Sequence, residues 1–406
     1  MLQDVKELLY TTAYREVDMD RLLDPQRPSF LRFDPELGYV FVTFTMRDGI
    51  DDSVSVYNYE PHGGHRRVVH YADRPCRINV YGNSYTQGQQ VSDAETWEEV
   101  LSAHIREPIR NFGVGGYSVY IAYRRCLRTE ATDLAAENVI LNIWDDDHVR
   151  NLDQSRWIRT AWDSRDQPWS GADAPWPIHG FPWAHLRFNV ETGRWDERLG
   201  FCRTEQDLRK LADRDYFYEK FKDDQIVHLF ALTQGGEAPI DELEAVAEAL
   251  DIRVDLRAAD VKKRMGEAEK LRQAYGLKST IYLLDRMKAW GGANGKKLMF
   301  LLSYDTKTVV DFIEKSERFD QELVDYLEAG DVPYVDCLRK QAEDYKQYKL
   351  PLNEYLAKFY IPAAGAAVFG HYGPYGNHWF AYAVKDEIVR RLDPKPPAYR
   401  PEEAMM

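Results

Sequence analysis

The stretch Arg77-Ile78-Asn79-Val80-Tyr81-Gly82-Asn83-Ser84-Tyr85-Thr86-Gln87-Gly88 is an apolar run that breaks at Gly-Asn-Ser and resumes with helical character. Ile78, Val80 and Tyr81 fit a buried strand, Gly82 permits a sharp turn, and Ser84 then falls at a helix N-terminus. Free backbone N–H groups at such a position favour a developing negative charge, which makes Ser84 a candidate nucleophile. A serine there can equally be an ordinary helix cap, and this stretch alone does not separate the two readings.

Working outward, residues 76–150 alternate strand, helix, strand, helix, strand. That order predicts a doubly wound, mainly parallel α/β sheet with its ligand site at the carboxyl ends of the strands. Thr280–Trp290 reads as a helix and the run Lys297–Tyr304 as a further buried strand, followed by a helix over Thr306–Glu317, so the core is expected to comprise 76–150 and 278–392, with a tail at 393–406. Residues 1–75 read as a β-rich N-terminal addition, because Tyr39–Thr45 and Ser53–Tyr57 alternate at strand period around the turn residues Asp48–Asp52. An insertion or lid region, 151–277, separates the two halves of the core. Its first part is rich in tryptophan (Trp157, Trp162, Trp169, Trp176, Trp183, Trp195), and Pro168, Pro175, Pro177 and Pro182 rule out a heptad helix there. Such rings either pin a long loop by packing or form a wall for a flat apolar ligand face. Residues 204–275 read as helical, most strongly over Glu237–Leu250 and Val261–Leu277.

Four segments together resemble the blocks of the SGNH (GDSL-type) hydrolases, in the order that family uses. The Gly-Asp-Ser-x-Thr block stands here as Gly82-Asn83-Ser84-Tyr85-Thr86, and Asn111-Phe112-Gly113-Val114-Gly115-Gly116-Tyr117 is similar to the second block. Val139–Ile143 followed by Trp144-Asp145-Asp146-Asp147-His148 is similar to the third, Gly-x-Asn-Asp, and His371-Tyr372-Gly373-Pro374-Tyr375-Gly376 to the last. The resemblance implies a flavodoxin-like core with Ser84 as nucleophile and His371 as base, His378 being the fallback. It places the oxyanion against the N–H groups of Ser84 and Gly116, with Gly115 as the adjacent alternative, and sets Asp146 where the family has its oxyanion asparagine. Substrate contacts are then expected at Asn83, Tyr117, Trp144 and Asp147, with no cofactor and no metal. Three positions depart from the pattern: Asn83, Asp146, and the absent aspartate two or three residues before His371. Asp336, at a predicted strand end, is a substitute for orienting His371 or a loop or helix-capping residue.

The chemistry sets the requirements. A serine hydroxyl needs a base within hydrogen-bond reach, and removing the carboxylate that orients the base can cost orders of magnitude in rate. An ionised Asp146 repels an oxyanion where an asparagine would donate to it. Crowding by Asp145 and Asp147 could keep Asp146 protonated, or backbone N–H groups could form the hole alone. The resemblance implies serine-dependent hydrolysis of a small ester, an acyl or acetyl ester of a carbohydrate or metabolite. The departures leave two alternatives: a binding or scaffold protein that has lost catalysis, and an acyltransferase.

Composition narrows the classes further. The net charge of −14 over 406 residues, without a dense basic stripe, argues against nucleic-acid binding. The clusters Arg106–Arg110 and Arg124–Arg128 are short and read as solvated helix faces, or as a means of neutralising an acidic substrate. Cys76, Cys126, Cys202 and Cys337 show no paired spacing, so neither a zinc site nor a disulfide framework is expected. His62, His65 and His70 lack a carboxylate partner for a metal. No window is long and apolar enough for a membrane span, and the first residues carry no basic-then-apolar leader, so a cytoplasmic location is expected.

Overall fold

The computed structural model describes residues 2–24, 26, 30–165, 181–330, 333–361 and 370–392. The chain divides into two compact units, one formed by Met1–Val40 with His148–Tyr282 and the other by Phe41–Asp147 with Leu283–Met406.

The second unit is built on five parallel strands: β1 (Ile78–Tyr81), β2 (Ile109–Asn111), β3 (Asn138–Trp144), β4 (Lys297–Ser303) and β5 (Tyr334–Asp336). Their order across the sheet is β2-β1-β3-β4-β5, the flavodoxin-like order of doubly wound α/β sheets. Every residue of β1 and β3 is buried, as is all of β4 beyond Lys297, which is why these strands read as continuous apolar runs. The connecting helices start where the sequence supplies caps. Thr96 accepts from the N–H of Glu99, Ser118 from Ile121 and Asp305 from Thr308, opening Trp97–Ile105, Val119–Glu130 and Thr306–Lys315. Because β2 and β3 flank β1 on opposite sides, the chain reverses direction across the sheet there, and the crevice beyond the carboxyl ends of β1 and β3 is the switch point where such sheets bind ligands. An antiparallel hairpin, Phe44–Arg47 with Val54–Tyr57, belongs to the same unit.

The first unit is mostly helical. It contains Val5–Thr12, Glu16–Leu23, Trp157–Ser164, Arg214–Phe221, Gln225–Thr233 and Asp241–Ala249, the strand Leu31–Asp34 paired with Gly38–Phe41, whose last residue falls at the unit boundary, and an antiparallel ribbon, His185–Asn189 with Arg194–Arg198. Tryptophans pack it: Trp157 stacks on Tyr14 at 5.1 Å, Trp183 on Tyr39 at 6.2 Å and Trp195 on Tyr275 at 5.4 Å between ring centroids. These rings act as packing anchors, while Trp169 and Trp176 lie outside the described residues.

Two sequence expectations need correction. Residues 1–75 are not one β-rich addition, because the chain opens with two helices, and residues 1–40 cluster with 148–282 while 41–75 cluster with the α/β core. Leu8 and Leu9 are fully buried, so the N-terminal helix contributes to a core rather than to a separate layer. The two helices expected at Val261–Leu277 and Thr280–Trp290 are one, Val261–Ala293, which carries the boundary between the units after Tyr282.

Candidate active site

β1 ends at Tyr81, and the chain turns sharply through Gly82. A Cβ on Gly82 would stand 2.2 Å from Thr86 Oγ1 and 2.7 Å from the Asn142 carbonyl oxygen, so this approach requires glycine. Asn83 caps the short helix Ser84–Gln87 by accepting the Tyr85 N–H at 2.7 Å. Its amide donates to the Asp147 carboxylate, which also accepts the Trp144 N–H at 3.0 Å. Asn83 therefore ties the turn after β1 to the end of β3. An aspartate at this position would set a second carboxylate against Asp147, so the amide fits its partner.

Ser84 is 8 % exposed, and its Oγ lies 2.8 Å from His371 Nε2. On the other side of the imidazole, Gln90 Oε1 accepts the His371 backbone N–H at 2.7 Å and stands 3.2 Å from Nδ1. The carboxamide orientation follows from its other end, where Nε2 donates to the Asp48 carbonyl at 2.9 Å. With a carbonyl oxygen facing Nδ1, the proton sits on Nδ1 and Nε2 is left as the acceptor for the Ser84 hydroxyl. This is the tautomer a general base needs.

Gln90 is itself held. Its backbone N–H donates to the Tyr57 hydroxyl at 2.7 Å, and Tyr57 donates to the Asp48 carboxylate at 2.6 Å. Gln90 adopts a left-handed backbone, φ 74°, which needs outside support in a residue with a side chain. Arg66, fully enclosed, supplies it by donating to the carbonyls of Gln87 and Gly88 at 2.7 and 2.9 Å and of Val91 at 3.1 Å. Its guanidinium also pairs with Asp93 at 2.9 Å, so the loop from 87 to 93 is clamped on both sides of Gln90. Sequence reading missed Gln90 because the orienting group was sought just upstream of His371, whereas it lies on the nucleophile's own loop.

The segment 112–117 lies against the nucleophile turn. The Val114 N–H donates to the Gly82 carbonyl at 3.1 Å, and a Cβ on Gly113 would stand 2.3 Å from the Gln87 nitrogen. Of the two candidate oxyanion glycines, Gly115 has its N–H engaged by Gln87 Oε1 at 2.9 Å, which leaves Gly116, with φ 85°, as the better donor.

At the end of β3 the three aspartates have different surroundings. Asp145 accepts from the Thr308 hydroxyl at 2.7 Å and from the Asp305 N–H at 3.3 Å, while its Oδ1 has no hydrogen-bond partner. Burial, and then the charge of Asp305, push the Asp145 carboxyl well above the usual carboxylate range. The carboxyl whose surroundings favour the protonated form is thus Asp145; Asp146, the family's oxyanion position by resemblance, sits half-buried on the turn. Asp147 is taken up by Asn83 and the Trp144 N–H.

Tyr85 packs this group together, its ring 5.5 Å from Trp144, 5.1 Å from His371 and 5.0 Å from Tyr372. Asn83, Tyr117, Trp144 and Asp147, expected to contact substrate, are all buried. The structure brings neither His378 to Ser84 nor Asp336 to His371. His378 is exposed on the helix Pro374–Leu392 with its ring against Tyr382, and Asp336 caps the helix Cys337–Tyr345 while pairing with Arg318 at 2.7 Å. His148 bonds Thr280, His62 pairs with Asp133 and His70 with Glu99; among the described residues no three His, Cys, Asp or Glu side chains converge for a metal ion. Nor is any described helix long and apolar enough to cross a membrane. No protein-family model matches this chain, and no curated protein does.

Proposed function

We propose that this protein is a serine esterase of the SGNH type that cleaves a small acyl or acetyl ester of a carbohydrate or metabolite. The observation that carries the reading is the 2.8 Å contact between Ser84 Oγ and His371 Nε2, with Gln90 fixing the imidazole tautomer. Ser84 Oγ attacks the carbonyl carbon as its proton passes to His371 Nε2, and the oxyanion is met by the N–H groups of Ser84 and Gly116. His371 then returns the proton to the departing alcohol oxygen, leaving an acyl-serine. Water attacks that ester with His371 again as base, and the carboxylic acid leaves as Ser84 regains its proton. A neutral amide in place of the triad carboxylate orients the base but stabilises the imidazolium less, as in cysteine proteases with an asparagine in the third position.

The enclosure of Ser84 favours one second reading, acyl transfer to an acceptor hydroxyl in place of water. Turnover of p-nitrophenyl acetate and of acetylated sugars, with and without acceptor alcohols, tests both readings. Ser84→Ala is expected to lower turnover by at least about 10³-fold. Turnover that persists unchanged in that variant, or no turnover by the wild type on any of these esters, overturns the esterase reading.

A further inference from the structure

A second cavity, of about 170 Å³, lies wholly within the unit formed by Met1–Val40 and His148–Tyr282 and shares no lining residue with the Ser84 site. One wall comes from the antiparallel ribbon. Its register sets His185 opposite Arg198 and Arg187 opposite Asp196, and the two-residue side-chain period puts all four on one face. Two guanidiniums beside a histidine are unfavourable on such a face without counter-charge. Arg187 meets Glu242 at 2.5 Å and Arg198 meets Asp196 at 3.1 Å, and each planar fork keeps further N–H donors beyond that one contact.

Lys220 also lines the cavity, its ammonium 5.2 Å from the Tyr216 ring centroid. Asp223 and Asp224 are the acidic lining residues, and Asp224 is occupied as the cap of Gln225–Thr233, accepting the Ile226 N–H at 2.9 Å. His185 is only 6 % exposed, and its Nδ1 stands 3.3 Å from the Trp183 carbonyl oxygen. A carbonyl cannot donate, so the proton is on Nδ1 and Nε2 is an acceptor without a donor among the described residues. Burial, with Arg198 and Arg187 nearby, holds the His185 pKa down to about 4.

The cavity therefore presents several N–H donors beside one acceptor nitrogen. A carboxylate satisfies the donors alone, whereas a phosphoryl group carries anionic oxygens and a titratable O–H together. We propose that this cavity binds a phosphate or phosphate-monoester group, with Arg187, Arg198 and Lys220 on its oxygens and His185 Nε2 accepting its proton. The volume, below the roughly 300–1,000 Å³ of drug-sized ligand pockets, and the acidic residues on the lining exclude a large polyanion.

Calorimetric titration of the full chain with inorganic phosphate and with glycerol 3-phosphate, at ionic strength held constant with chloride, tests this. The expected result is saturable binding of one ligand per chain, weakened at least tenfold by Arg198→Gln and by Arg187→Lys. Arg194→Gln, an exposed change on the same ribbon, should leave binding unchanged, and the ¹⁵N signal of His185 Nε2 should shift on saturation. Tighter glycerol 3-phosphate binding would identify a monoester ligand, and equal or tighter inorganic phosphate binding the free ion. Heat no greater than that of matched chloride, or equal affinity in Arg198→Gln and Arg194→Gln, overturns the proposal. The outcome is independent of esterase activity, because no residue of the Ser84 site is involved.

Discussion

At the carboxyl end of β1, the segment from Gly82 to Asp93 is held by neutral amides and one buried guanidinium; at the carboxyl end of β3, Trp144–Asp147 carries three carboxyl groups in a row. The two exits flank the same crevice but solve different problems. The first sets up a base by geometry: Asp48 fixes Tyr57, Tyr57 and Arg66 fix the loop, and Gln90 fixes His371. The second leaves little room for electrostatic help, because Asp147 is spent on Asn83, the Asp145 carboxyl is pushed toward its protonated form, and Asp146 adds a further carboxyl group to the turn. The contrast teaches that catalysis here would rest on a well-aligned base and on backbone N–H groups, without the side-chain oxyanion donor.

The comparison breaks most readily at Gln90. Gln90→Leu removes the acceptor for the Nδ1 proton and is expected to lower kcat by about 10²–10⁴-fold, measured on a p-nitrophenyl ester. Gln90→Glu restores a charged partner and should keep much of the rate. An anion beside the imidazole raises its pKa, so the acidic limb of the kcat/KM profile should move to higher pH in that variant. Equal rates in Gln90→Leu and wild type would remove the base side from the account.

A smaller effect is expected where the two exits join. Asn83→Asp sets a carboxylate against Asp147 and should destabilise the fold by about 1–3 kcal/mol, read from denaturant unfolding. Adding Asp147→Asn reverses the donor and acceptor and should recover most of that loss; failure to recover would show that the contact between β1 and β3 is not the reason for the asparagine.

On the oxyanion side, Asp146→Asn exchanges a carboxyl group for an amide donor. It is expected to raise kcat several-fold, and at most by about 10²–10³-fold, the usual worth of one oxyanion donor. No change would mean that the turn at Asp146 does not face the developing charge.

The smallest effect concerns Asp145. Its folded-state pKa is raised above the ordinary 3.8, so its contribution to stability is complete below that value and is lost as pH rises through the folded value. Asp145→Asn should therefore melt close to wild type at pH 4 and a few degrees higher at pH 9, followed by thermal unfolding across pH. A melting difference that does not depend on pH would contradict a protonated Asp145.

Much of the fold was legible because β1, β3 and β4 are buried on both faces, so their apolar runs stand out against the helices between them. β5 is only three residues long and was read merely as a strand end at Asp336. The division of the N-terminal 75 residues was not legible, since nothing in the composition at Val40 marks where the chain passes from one unit to the other. At the site, Ser84 could be found from its local strand-turn-helix pattern, whereas Asn83 and His371 were singled out only through the resemblance to the SGNH blocks. Gln90 could not, because its role depends on a left-handed backbone, on contacts with Asp48 and Tyr57, and on Arg66 clamping the neighbouring carbonyls, all distant in sequence and none bound to it by a periodic pattern.

The most direct test of the central claim, that Ser84 is activated by a His371 held by Gln90, is the rate of adduct formation with a small fluorophosphonate, followed by intact mass and peptide mapping. The account predicts a single adduct on Ser84, absent in Ser84→Ala and formed much more slowly in His371→Gln and Gln90→Leu. No adduct at high reagent excess, or one that survives Ser84→Ala, would contradict it.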